Sequence, residues 1–397
     1  MIASENYVSG PVMEAMGSVL SNRDSEGYPA ARYYGGQVLM DELEKEANER
    51  AMRLFRAEHA NVQPHAGAIA NLAAYFALAE PGDTILGMDL SHGGHLTHGH
   101  PVTHAAKVFQ FVRYRMRDHE TGTIDYDQMR RLALEVRPRI VLAGFSSYPR
   151  ALDYAAMREI ADEVGAYAVA DVAQTAGLIA GGVLENPLDL GFDVVTTTTH
   201  NTLRGPRGGL ILCCRKGLGR RIDKSVFPGL QSGPMMQAIA AKAVAFEEAS
   251  RPEFRDYARQ VISNAQVLAE ALTEQGAELI TNGTDNHLIL INAIASWGVS
   301  GQAMQERLER AGVIVNKNPI PDDDRGPMDP SGLRLGTPAV TTRGMGPEEM
   351  RAIARIIGEA AQTGDQHRLS AISEEVATLA GRFRIPGLKE SGSEIAA

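Results

Sequence analysis

Apolar Leu43, Ala47, Met52, Leu54 and Phe55 recur at roughly helical spacing in MDELEKEANERAMRLF, 40 to 55; the period predicts an amphipathic helix. Short apolar runs rich in β-branched residues predict strands at 84 to 89, 139 to 145, 167 to 173, 193 to 199 and 209 to 214. Helical patterns at 68 to 79 and 153 to 166 separate them. Strands alternating with helices predict an α/β fold with a mostly parallel sheet. The Gly-, Ser-, Tyr- and Asn-rich stretch 1 to 36 reads as an N-terminal arm. A large domain over 37 to 275 follows, closed by a long helix from Pro234 to about residue 275. Residues 276 to 397 form a smaller C-terminal α/β domain, with a strand in NHLILINA and helices near 301 to 311 and 347 to 362.

At 397 residues the chain suits one large domain with a smaller companion. The net charge of -10, with no Lys/Arg run to offset it, excludes a nucleic-acid partner. No apolar run is long enough to span a bilayer, so no membrane partner is expected. The only cysteines, Cys213 and Cys214, are adjacent in an apolar strand, which excludes a disulfide framework and points to a cytoplasmic protein. In parallel sheets ligands sit beyond the carboxyl ends of the strands, so Asp89, Ser146, Asp171 and His200 are expected to face one crevice.

Eight motifs then occur in order: IASENYVS, EGYPAARYYGG, NVQPHAGAIAN, MDLSHGGHLTHG, GFSSYP, ADVAQTAG, TTTTHNTLRGPRGG and SGLRLGTPAVTTRG. Together they resemble serine hydroxymethyltransferase over nearly the whole chain. The resemblance implies a fold-type I aminotransferase-like architecture, a homodimer with active sites at the subunit interface, and one-carbon transfer between serine and tetrahydrofolate. It also implies a lysine bound as an imine to pyridoxal phosphate, directly after the His of TTTTH. Here that position is Asn201, and an amide nitrogen, delocalised into its carbonyl, forms no imine.

Other departures gather on the same cofactor. Ala66 and Ala68 replace the serines that hold the phosphate, and Asp24 replaces a tyrosine that reaches it from the neighbouring subunit. A carboxylate ~4 Å from one phosphate charge costs on the order of 4 kcal/mol at an effective dielectric near 20, unless Arg23 or Arg32 pairs with it. Ser232-Gly233 replaces a glycine pair, and Gln174 a histidine. The folate set, in contrast, matches at Glu26, Tyr33, Tyr34, Leu90, Gly94, Leu96 and Asn318. Arg334 matches the arginine that grips the substrate carboxylate, with Ser4 and Tyr34 assisting.

The expectation is a hydroxymethyltransferase that uses 5,10-methylene-tetrahydrofolate and dispenses with covalent pyridoxal phosphate, its acceptor lying in the vacated pocket. Glu26, Tyr34, His95 and His200 are the candidate catalytic residues, with His95 stacking on a planar substrate. Ser4, Asp171, Gln174, Asn201 and Arg334 are the candidate acceptor-binding residues. Two alternatives are a conventional pyridoxal-phosphate enzyme with a mutated lysine and a silent folate-binding regulatory subunit. His92, His95 and His98 have the spacing of a metal motif, but the resemblance supplies these histidines without a metal, so none is expected. Arg207 is expected to brace the 204 to 209 turn, and Arg204 is left without an assigned role.

Overall fold

The computed structural model describes residues 1–118 and 122–388. Seven strands form the large sheet: β1 (His59–Asn61), β2 (Thr84–Met88), β3 (Gln110–Tyr114), β4 (Ile140–Gly144), β5 (Tyr167–Asp171), β6 (Val194–Thr198) and β7 (Gly209–Cys213). Their spatial order is β1-β7-β6-β5-β4-β2-β3. The pairs β3/β2, β2/β4, β4/β5 and β5/β6 are parallel, and β7 runs antiparallel to both its neighbours. The central strands β4 and β7 are buried along their whole length, as expected for a sheet covered on both faces.

The five expected strands all form. β1 and β3 were not anticipated, and both lie at the edges of the sheet, where a half-covered strand needs no continuous apolar run. Helices α1 (Val38–Phe55), α2 (Gly67–Leu78) and α3 (Tyr154–Val164) match the helical patterns. The long helix expected from 234 to about 275 is instead two, α4 (Met236–Ala249) and α5 (Pro252–Glu274). Pro252 has no N–H to continue a helix and its ring fits a first turn, so it starts a new helix after Arg251. The arm also carries order: Gly10–Met16 is helical, capped by Ser9, and Gly27–Tyr28 pairs with Ala31–Arg32.

Four antiparallel strands form a second sheet, β8 (Glu278–Leu279), β9 (Leu288–Asn292), β10 (Asn316–Asn318) and β11 (Gly332–Gly336), in the order β8-β9-β11-β10. Leu268, Leu272, Ile289, Leu333 and Ile357 share its core. Phe254, Tyr257 and Val261, nearer the start of α5, belong to the large-sheet core. One helix thus serves both cores. Among the described residues no helix is long and apolar enough to cross a membrane.

Candidate active site

β4, β5 and β6 end on one edge of the sheet, which brings Ser146, Asp171 and the 199–209 loop together. Asp171, the last residue of β5, is 7% exposed, and a carboxylate so placed must be satisfied by donors. Its Oδ2 accepts from Asn71 Nδ2 at 2.8 Å and His98 Nε2 at 3.1 Å, and its Oδ1 from the Ala173 N–H at 3.0 Å. Burial alone would raise its pKa; the His98 hydrogen bond, the neighbouring imidazoles and Asn71 hold it below the usual carboxylate value. Asn71 is itself oriented by Thr196 Oγ1, 2.5 Å from its Oδ1. Asp171 is therefore a buried anion. Asp89, also expected in the crevice, instead caps Ser91 and pairs with Arg115.

Hydrogen-bond direction fixes both histidine tautomers. The His95 N–H donates to His98 Nδ1 at 3.2 Å, so His98 carries its proton on Nε2 and donates it to Asp171. Thr97 N–H donates to His95 Nδ1 at 3.2 Å, so the His95 proton is also on Nε2. Burial, then the nearby His98, lowers the His95 pKa and keeps the ring neutral at neutral pH. Ligating atoms of His95, His98 and Asp171 lie within 4.8 Å of one another. A metal-bound imidazole donates its second N–H to a nearby acceptor; here both second nitrogens receive an N–H, and each Nε2 lone pair is occupied by a proton. The wiring suits hydrogen-bonding to an organic ligand.

The 199–209 loop is shaped by close backbone approach. A methyl on Gly209 would lie 2.5 Å from Ala66 O, and one on Gly67 would lie 2.6 Å from Thr198 Cγ2, so glycine lets the loop, β6 and the start of α2 meet. Arg204, at φ 61°, stacks over Tyr257 with its guanidinium 4.6 Å from the ring centroid. The brace expected of Arg207 is thus supplied by Arg204, since Arg207 is exposed and no hydrogen bond or ion pair involves it among the described residues. Burial, then Arg207 nearby, lowers the His200 pKa to about 4. His200 and Ser4 both line a cavity of about 700 Å³ beneath the arm.

Asn201 is 4% exposed, and its Nδ2 donates to Ala173 O at 3.0 Å. A carbonyl only accepts, so the amide must turn its nitrogen to Ala173 and its oxygen away. That oxygen is buried without a donor, which costs roughly 1 to 3 kcal/mol if nothing fills the need. The neighbouring Gln174 is oriented too, because His287 Nε2 lies 3.3 Å from its Oε1 and an oxygen cannot donate.

Arg334, on β11, reaches across from the second sheet. Its Nη1 donates to Ser146 O at 2.7 Å and its Nε to Asn316 Oδ1 at 3.1 Å. None of its partners among the described residues is a carboxylate, and burial lowers its pKa to about 10. A guanidinium buried among neutral acceptors is set to take an anion. Leu90, Gly94 and Leu96 lie in the 89–98 loop, where the Gly93 carbonyl accepts from Ser146 N at 2.7 Å. Asn318 Nδ2 joins them through Ser147 Oγ at 3.2 Å.

Glu26, Tyr33 and Tyr34 lie elsewhere. Glu26 accepts from Ser232 Oγ, Tyr33 packs edge-on against Phe227 with centroids 5.7 Å apart, and Tyr34 hydrogen-bonds Asp24. No hydrogen bond, ion pair or ring contact joins this group to Arg334 or Asp171 among the described residues. Asp24 is not neutralised by either arginine. Arg32 is taken by Asp41 and Glu44, and Arg23 donates to the carbonyls of Gly35 and Gly36. The single chain therefore holds the Asp171–Arg334 group and the Glu26 group separately, and Ser4 and His200 line a cavity that includes no member of either. Asn71, Thr97, His98 and Asn316 complete the first without having been anticipated in these roles. A lone Asn in the alanine-rich AIANLAAY was the available signal for Asn71.

Residues 1–357 match the model of the family described as serine hydroxymethyltransferase. The chain belongs to that family. Membership carries a fold-type I architecture and hydroxymethyl transfer involving folate, and it implies pyridoxal phosphate, whose fit can be tested end by end. Asp171 and the His98–Asn71 network suit a protonated ring nitrogen. At the aldehyde end Asn201 offers an amide whose nitrogen is committed to Ala173. At the phosphate end, α2 starts at Ala66 with bare backbone N–H groups and no side-chain cap; Ala66 and Ala68 bring no hydroxyl. The residues fit the ring-nitrogen end, and the bare N–H groups at the start of α2 can receive a phosphate; at the aldehyde end Asn201 supplies no amine for an imine.

Proposed function

We infer that this member of the family transfers a hydroxymethyl group from 5,10-methylene-tetrahydrofolate to a small acceptor without covalent pyridoxal phosphate. The observation that carries the inference is the Asn201 amide at the end of β6, with its nitrogen tied to Ala173. The reaction balances without an oxidant. Both carbon–nitrogen bonds to the folate methylene break, and water supplies the hydroxyl oxygen. The acceptor's bond to hydrogen is replaced by a bond to the one-carbon unit. The two protons of water and the one from the acceptor end on N5, N10 and the new hydroxyl.

Arg334 binds the acceptor's carboxylate and Asp171 its nitrogen-bearing end, with Gln174 and Asn201 beside them. His95 donates from Nε2, and His200, a neutral ring, lines the cavity that it shares with Ser4. Glu26 moves the hydroxyl proton. The folate is framed by Glu26, Tyr33, Tyr34, Leu90, Gly94, Leu96 and Asn318. These residues belong to two groups that are separate within one chain, so the working unit is a homodimer in which one copy completes the site of the other. Tyr33 at 74% and Leu39 at 70% exposure leave apolar surface beside the second group for that contact.

The Asp171 network favours a second reading, a conventional enzyme that holds pyridoxal phosphate non-covalently. Absorbance titrations of the purified protein with pyridoxal phosphate, with and without glycine, separate the two. Our inference expects no cofactor–glycine band at micromolar cofactor and steady release of tetrahydrofolate once an acceptor is supplied. Such a band, accompanied by serine–glycine exchange, rejects it. Folate binding with no release toward any acceptor rejects it in favour of a silent folate-binding subunit.

A further inference from the structure

Residues 316 to 322 leave the second sheet through β10 and cross to the large one, and alternate side chains make the contacts. Asn316 Oδ1 accepts from Arg334 Nε at 3.1 Å, Asn318 Nδ2 donates to Ser147 Oγ at 3.2 Å, Ile320 packs against the large-sheet core, and Asp322 Oδ1 lies 3.1 Å from His92 Nε2. The last contact has a fixed direction. The Met116 N–H donates to His92 Nδ1 at 3.3 Å, so the ring proton is on Nε2 and His92 is the donor. Burial, opposed by Asp322, lowers the His92 pKa and keeps the ring neutral. Arg115, paired with Asp89 at 3.0 Å, brings its Nη1 within 3.9 Å of the same Asp322 oxygen. The neighbouring Asp323 does a different job: it accepts from the N–H groups of Ile320, Arg325 and Ser331 and closes its own loop.

His92 stands between Leu90 and Gly94 in the chain, and Asn318 shortly precedes Asp322. The two ends of this hydrogen bond therefore belong to the two segments from which the folate residues Leu90, Gly94, Leu96 and Asn318 come. The geometry points to Asp322 as a positioning residue for folate: it ties the Asn318 segment to the 90–98 turn, so that the two are in register before the ligand arrives. This step deepens the folate assignment made above and rests on it. Preorganisation of this kind raises affinity, because less ordering is left to the binding event. The Asp322 side chain is 59% exposed and that of His92 4%, so solvent screens the carboxylate and the effect of the tie is modest.

At φ 53° Asp322 has a backbone conformation open to Asp, Asn and Gly and strained for Ala. The test therefore uses Asp322→Asn, which keeps an oxygen for His92, and Asp322→Gly, which removes it. Tetrahydrofolate titrated calorimetrically into the full chain should bind Asp322→Gly roughly fivefold more weakly than wild type, and Asp322→Asn within about twofold of it, the size expected for one hydrogen bond. Amide exchange read by mass spectrometry should quicken across 90–98 in the Gly variant alone, whereas a merely local loosening by glycine would leave that turn unchanged. Melting curves show that both variants remain folded. Tetrahydrofolate binding unaffected by Asp322→Gly, an equal loss in Asp322→Asn, or unchanged exchange across 90–98 overturns the proposal. A wild type that binds no tetrahydrofolate removes the folate assignment and this inference with it, whereas binding that is indifferent to Asp322 removes this inference alone. Acceptor turnover enters none of these measurements.

Discussion

Arg334 is held by Ser146 and Asn316 in the absence of any carboxylate, so its planar fork is oriented before the ligand arrives. Replacing it with Lys keeps the charge and loses the fork, and the exchange is not conservative at such a site. Arg334→Lys and Arg334→Gln should each weaken acceptor binding by about 2 to 5 kcal/mol, read as a rise in KM larger than the fall in kcat. His200 and His287 make a different prediction. Burial lowers their pKa values to about 4 and about 3, below the unfolded value near 6.5. As pH falls below 6.5 the unfolded chain takes up protons that the folded chain refuses, so stability drops with acidification. Urea unfolding at pH 7 and pH 5 should show His287→Gln losing about 2 kcal/mol less than wild type over that interval. Motif resemblance singled out Arg334, Asp171 and Asn201, and the fold buries all three. The tautomers of His95 and His98 were not readable from the sequence, because they depend on backbone N–H groups that only the folded 95–98 turn aims at the rings.

Among the elements, the loop before α2 and the start of β7 are joined by Lys242 of α4, which is wholly enclosed. Its Nζ lies 2.5 Å from Val62 O, 2.8 Å from Gly209 O and 3.1 Å from Pro64 O. Burial lowers its pKa to about 7, with Glu44 opposing, yet three carbonyls ask for three N–H groups and a neutral amine has two. Its folded pKa lies below the unfolded value near 10.4, so stability should climb as pH rises from 7, by up to about 1.4 kcal/mol per unit. Chemical unfolding of wild type against Lys242→Met from pH 7 to 10 measures this as a widening gap; a constant gap would mean that the carbonyls retain the ammonium throughout. The buried strands β4 and β5 were legible as apolar runs and α1 as a periodic one. β1, with only three residues in HAN, and the half-exposed QFVRY of β3 lacked such a run. The division between α4 and α5 was written plainly as Pro252, set in the polar run EEASRPE.

At the scale of the whole molecule, the two separate groups of site residues predict complementation. Glu26→Gln and Arg334→Gln, assayed at an acceptor concentration far below the raised KM so that each alone turns over little, should recover about one quarter of wild-type turnover when unfolded together and refolded. Half of the random dimers are mixed, and one of the two sites in each is intact, provided that the assembly is a closed twofold dimer. Recovery of nothing would place both residues in one chain's site. The family resemblance is what implied an interface site, since periodicity says which face of an element is covered and is silent about a second copy. The backbone contacts near the cofactor-facing substitutions carry a further consequence. Ala66 O fits against Gly209 and the Thr198 methyl against Gly67, contacts that use none of the exchanged side chains at 24, 66, 68, 174 and 201. A lineage could therefore swap one reaction for another here by trading side chains one at a time, each intermediate still folded, because the scaffold never depended on the chemistry it housed.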